Sequence, residues 1–230
     1  MSEGMRVAME IGFNILYLIV VWTMNVIMSR QLPSVPEKNK VDADLFRWAF
    51  ILLALGDTGH VGFRVIAYMM GGLEQNNFLV GIGALATAVT VTFFYAVLLF
   101  IWKNHFKKTF SWFEYFLFGS AVIRLLVMAF PQNDWGSTVP PVVWGPFRNL
   151  FLVIQGLGIV YLYLRDSIIV KDRLFRWMAY CIFFSFLFYA PVILFAREYP
   201  LLGMLMIPKT VMYVLVQFLA YFGLWKQKQI

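Results

Sequence analysis

The sequence predicts an all-α polytopic membrane protein of seven transmembrane helices, its N-terminus outside and its C-terminus in the cytoplasm. Three observations predict it. First, 61% of the residues are hydrophobic, 19% aromatic and only 13% charged. A soluble domain carries roughly 45–50% apolar and about 25% charged residues, and a core of this size cannot hide the excess. Second, seven apolar windows each reach the roughly 20 residues that span a bilayer. Third, lysines and arginines concentrate in alternate connections.

The windows are, in order, residues 7–28, 45–70, 78–102, 112–130, 143–164, 174–196 and 201–225. The first lacks a basic start and a small-residue cleavage site, so it reads as a retained helix rather than a signal peptide. A charged loop with Pro33 and Pro36 follows it, over residues 29–44. Gly71 to Asn77 is a short turn after the second window, and Lys103 to Lys108 a basic turn after the third. His105, among those lysines, is expected to be a solvated turn residue. A Pro-rich loop over 131–141 precedes the fifth window, and 165–173 and 197–200 are turns on either side of the sixth. The seven windows form one bundle over residues 1–230, with no separate soluble domain.

Orientation follows from the basic residues. Arg30, Lys38, Lys40, Arg47, Lys103, Lys107, Lys108, Arg165, Lys171, Arg173, Arg176, Lys226 and Lys228 fall at one end of the helices. By the positive-inside rule that end is cytoplasmic. The net charge of +7 therefore reads as topology and contact with anionic headgroups, not as nucleic-acid binding. The tryptophans near helix ends read as an interfacial belt. Cys181 is the single cysteine, so it forms no intrachain disulfide and anchors no metal cluster.

The polar residues inside the windows carry the functional expectation. Asp57, His60 and Arg64 lie three and four residues apart, so a helix presents them on one face, with Tyr68 a turn further. At 1.5 Å per residue, Asp57 falls near mid-membrane, and His60 and Arg64 lie successively further out. Asn14, Arg124, Arg148, Asn149, Lys209 and Tyr213 fall in the same outer half. Asp57 is the one clear intramembrane acid against four cations. Charges in lipid must be paired or face water, so a hydrated cavity or an anionic ligand is expected. Asp57 and His60 are the candidate catalytic pair. Arg64, Arg124, Arg148, Asn149, Lys209 and Tyr213 are the candidate ligand-binding set. Arg64 and Arg148 also suit snorkelling to headgroups, and Asp57 a structural ion pair with Arg124 or Lys209. Pro191 and Pro208 are expected to kink their helices or to free a carbonyl that lines the cavity. Asn133, Asp134 and Trp135 are placed to cap it.

The G-D-x-x-H-x-x-x-R of Gly56 to Arg64, the P-Q-N-x-W of Pro131 to Trp135, the R-N of Arg148-Asn149 and the M-I-P-K-T of Met206 to Thr210 together resemble a family of uncharacterised bacterial integral membrane proteins. That resemblance implies a multi-pass protein of the bacterial cytoplasmic (plasma) membrane and implies no activity. Three functions stay open. One is binding or transport of a small anion or an anionic lipid headgroup. Another is an intramembrane enzyme on a lipid or polyprenyl-phosphate substrate. A third is a rhodopsin-like sensor with Lys209 as Schiff-base lysine, although window three lacks the charged residues of microbial rhodopsins. No HExxH, no G-x-S-x-G and no paired acids are present, which argues against hydrolase and metalloenzyme chemistry. No resident cofactor or metal is expected. The expected partners are membrane lipids and the anionic ligand, and no nucleic acid.

Overall fold

Long apolar runs with few interior breakers leave the backbone one way to satisfy its hydrogen bonds away from water, the α-helix. A computed structural model describes residues 3–137 and 141–226, and the side chains of all of these except residues 3–8 and 10. Among the described residues there are seven α-helices and no strand: α1 (Glu3–Gln31), α2 (Glu37–Met69), α3 (Asn77–His105), α4 (Trp112–Met128), α5 (Trp144–Ile169), α6 (Arg173–Phe195) and α7 (Met206–Ala220). Six helical segments are long and apolar enough to cross a membrane: Ile11–Ser34, Glu37–Met69, Glu74–His105, Trp144–Ile169, Arg173–Phe195 and Pro200–Trp225. The remaining helix, α4, has 17 residues and so runs about 25 Å. Thr138, Val139, Pro140, Gln227 and Lys228, read above as parts of the outer loop and the basic tail, lie outside the described residues.

Helix ends reach beyond the apolar windows. The loop expected over 29–44 shrinks to the break around Pro33 and Pro36, because α2 already starts at Glu37. Lys40 pairs with Glu37 at 3.0 Å, and Arg47 with Asp44 at 2.6 Å. These i,i+3 contacts stabilise an amphipathic extension that hydropathy alone does not register. Helix α5 likewise continues past Leu164, because buried Asp166 accepts from Trp102 Nε1 at 2.8 Å and from Arg165 Nη2 at 2.7 Å. The seventh window has three parts: a 3-10 segment Pro200–Leu205, α7, and a π-helical turn Tyr221–Trp225. Pro208 does not kink α7. It is the third residue of that helix, where a backbone N–H has no intrahelical partner to lose. Pro191 does lie inside α6.

Helices α2 and α3 pack closely because glycine lets their backbones touch. A Cβ on Gly83 would sit 2.9 Å from the Gly59 carbonyl oxygen and 3.0 Å from the His60 Cα. The interior at this level is aromatic. Phe50 and Phe94 lie 5.9 Å apart between ring centroids, Phe94 and Tyr213 5.7 Å, and Tyr95 and Phe186 5.7 Å.

One end of the bundle is tied by a polar clamp, and here His105 departs from expectation. It is not a solvated turn residue. Its Nδ1 lies 2.8 Å from Asp42 Oδ2 and its Nε2 2.8 Å from Asp172 Oδ2. The ring also stacks on Phe175 with centroids 3.8 Å apart. A ring that donates from both nitrogens is the imidazolium, which suits two carboxylates. The clamp joins α2, α3 and the start of α6, where Asp172 also caps the helix by accepting from the Phe175 N–H at 3.1 Å. Burial alone would raise the Asp172 carboxyl. The hydrogen bonds from His105 and from the Phe175 backbone outweigh it and hold the group below the usual carboxylate range.

Candidate functional site

Polar side chains in an apolar bundle must find partners or water. At the end opposite the His105 clamp they gather around a cavity of about 450 Å³. All eight residues singled out above line it: Asp57, His60, Arg64, Arg124, Arg148, Asn149, Lys209 and Tyr213. They come from α2, α4, α5 and α7. Asn14 and Trp135 also reach its wall, while Tyr68, Asp134 and Pro191 do not. The carbonyl freed by Pro191 belongs to Leu187, which is exposed on the outside of α6, so it does not line the cavity.

Among the described residues Asp57 has no ion-pair partner within 4.0 Å. It accepts from Tyr17 Oη at 2.6 Å. Thr87 donates to the Gly56 carbonyl at 2.7 Å, and its hydroxyl lies 3.4 Å from Asp57 Oδ1. The Asp57 carboxyl group is thus held on the α1–α2–α3 side. His60 lines the cavity while its buried Nδ1 has no hydrogen-bond partner.

The cations are arranged differently. Arg124 is only 2% exposed. It donates to the Arg148 carbonyl at 3.2 Å, to the Ala88 carbonyl at 2.9 Å and to the Thr92 hydroxyl. These acceptors orient the guanidinium without neutralising it. Arg148 does not snorkel away. It turns inward to donate to Asn133 Oδ1 at 3.3 Å and lies 4.1 Å from the Trp135 ring centroid. Asn133 is held in turn by donating to the carbonyls of Val127 and Phe130 at 2.6 and 3.0 Å. The 131–137 loop can press this close because α3 offers Gly81. A Cβ there would collide with the Trp135 carbonyl at 1.3 Å. Lys209 lies over Tyr189 at 4.6 Å and Tyr213 at 5.7 Å. Among the described residues, no carboxylate lies within 4.0 Å of a nitrogen of Arg124, Arg148 or Lys209.

Among the lining residues that were not expected, Tyr17, Thr87 and Tyr189 are polar and lie against Asp57 or Asn149. Tyr17 is one turn from Asn14, and that i,i+3 spacing was the available signal. Tyr189 donates to Asn149 Oδ1 at 3.2 Å. Thr87 sits in the uncharged stretch 78–102 of α3, where a threonine carries no signal of its own. Beneath the cavity, Phe94 and Tyr95 are fully buried, and Tyr95 and Tyr213 hydrogen-bond through their hydroxyls at 2.6 Å. The aromatic layer closes the floor. Phe46, Leu98, Ile101, Met178 and Ile182 fill the bundle beyond it. Among the described residues the site is a one-sided pocket with Arg124, Arg148 and Lys209 on one wall and the Asp57 carboxyl group on another. No protein-family model, no curated protein and no solved structure matches the chain.

Proposed function

We propose that this chain is a seven-span integral membrane protein whose cavity opens to the outer face and binds an anionic group. The observation that carries it is Arg124, buried to 2% exposure and, among the described residues, hydrogen-bonded to two carbonyls and a hydroxyl with no carboxylate within 4.0 Å. Burying a charge costs several kcal/mol unless an opposite charge compensates it. A cation held in place by neutral acceptors, beside Arg148 and Lys209, is organised for a negative charge brought by a ligand. Guanidinium forks suit phosphate and carboxylate oxygens.

Orientation rests on the basic residues. Lys103, Lys107, Lys108, Arg165, Lys171, Arg173 and Arg176 lie at the clamp end, away from the cavity, and positive-inside bias makes that end cytoplasmic. Helix α4 counts as the seventh span because Arg124 within it reaches both α3 and α5. Its length of about 25 Å approaches the hydrocarbon thickness of about 30 Å. The closed aromatic floor favours binding over an open channel. Asp57, held by the Tyr17 hydroxyl at 2.6 Å, serves as a counter-charge that tunes the pocket rather than as a general base. The test is binding of sn-glycerol 3-phosphate to the full chain in phosphatidylcholine nanodiscs. Saturable binding that falls about tenfold or more in Arg124→Gln is expected. Equal binding to the variant would overturn the reading.

A further inference from the structure

Beside the cavity lies a second concavity, an apolar groove of about 630 Å³ lined by Phe195, Glu198, Tyr199, Pro200, Leu201 and Leu202. The two border each other along the 3-10 segment Pro200–Leu205, and Pro200 belongs to both surfaces. A 3-10 helix turns every three residues, so Pro200 and Gly203 share a face. With Met204, they look into the cavity, while Leu201 and Leu202 look into the groove. On the groove side the apolar surface is open: Leu201 is 68% exposed, Tyr199 63% and Phe195 48%.

Resting on the cationic-pocket reading above, we propose that the ligand is an anionic lipid, with its phosphate or carboxylate head among Arg124, Arg148 and Lys209 and its hydrocarbon chain in the groove at the α6–α7 turn. A free anion would use the cavity and leave the groove without a role. A zwitterionic lipid would bring its own cation to a wall already rich in cations. An anionic amphiphile matches the charge of one concavity and the hydrocarbon character of the other, and the two share Pro200 on their linings. Glu198 is the one acid on the groove's lining and is exposed, so water screens it from the head.

The experiment compares three probes on the full chain in phosphatidylcholine nanodiscs: sn-glycerol 3-phosphate, lysophosphatidate (the same head on an acyl chain) and lysophosphatidylcholine (the chain with a zwitterionic head). Lysophosphatidate is expected to bind tightest. Leu202→Trp, which fills the groove with apolar volume, is expected to weaken lysophosphatidate by about tenfold, the scale of losing one apolar side-chain contact, and to leave glycerol phosphate unchanged. Leu201→Trp provides a second groove variant, and an unchanged melting temperature certifies the fold of either. Arg124→Gln is expected to weaken both phosphate probes. Lysophosphatidate binding indifferent to both groove variants, or lysophosphatidylcholine binding equally well, overturns the lipid proposal while Arg124-dependent glycerol phosphate binding keeps the pocket. Loss of Arg124 dependence for both phosphate probes removes the pocket reading itself.

Discussion

Replacing Asp57 with asparagine removes the acidic group that, among the described residues, lines the cavity with its cations, and the account predicts a gain of anion affinity. A cavity of about 450 Å³ has the volume of a sphere roughly 10 Å across, so a bound anion sits on the order of 8 Å from the carboxylate. Two like charges at ~8 Å repel by about 2 kcal/mol at an effective dielectric constant of ~20, and by about 0.5 kcal/mol in bulk water. The substitution should therefore tighten glycerol phosphate binding by a factor between about 2 and about 30. Folding should suffer little. Asparagine still accepts from Tyr17, and the bond of 2.6 Å loses only its charge assistance, about 1 kcal/mol. The assay is a binding titration in nanodiscs with a melting curve alongside. Affinity that falls about tenfold or more in a protein of unchanged melting temperature would refute the reasoning, because it would mean that Asp57 contacts the ligand or moves a proton.

Other predictions concern the frame. His105→Ala should cost about 2–4 kcal/mol, because it strips both Asp42 and Asp172 of a partner; a melting temperature equal to the parent's would show the clamp to be idle. Asp172 is held below the usual carboxylate range, so its stabilising effect is complete above the unfolded value of about 3.9 and is lost as the pH falls through the folded value. Acid titration of the melting temperature should show that loss below about pH 4, and His105→Ala should flatten it; an equally steep acid limb in the variant would contradict the assignment. Gly83→Ala should destabilise by about 1–3 kcal/mol, since its Cβ would meet the Gly59 carbonyl at 2.9 Å. Thermal unfolding measures it, and a neutral result would mean that α2 and α3 can separate freely.

The existence of the helices was legible because lipid leaves an apolar run of about 20 residues no alternative structure. Their ends were not. The first two turns of α2 and the last of α5 are charged, and they are helical because Asp42 and Asp166 find partners on α3. The site was legible through depth: counting residues from each helix end brought eight side chains from four helices to one level, and they line one cavity. Of its neutral members Asn149 and Tyr213 were legible, whereas Thr87 and Tyr189 look like any residue of a packed apolar face until a partner is seen, and Tyr17 was marked only by its spacing from Asn14. His105 failed for a related reason. Its carboxylates are 63 and 67 residues away in sequence, and the stretch around it, Lys103-Asn104-His105-Phe106-Lys107-Lys108, is basic, which suggests only solvent.

The central claim is that Arg124 and its neighbours await an anion. Native mass spectrometry of the full chain released from nanodiscs tests it most directly, with lysophosphatidate and lysophosphatidylcholine offered in equal amounts to the parent and to Arg124→Gln. The account predicts a retained lysophosphatidate adduct on the parent that is largely lost from the variant. Equal retention of the two lipids by the parent, or equal retention of lysophosphatidate by parent and variant, would contradict it.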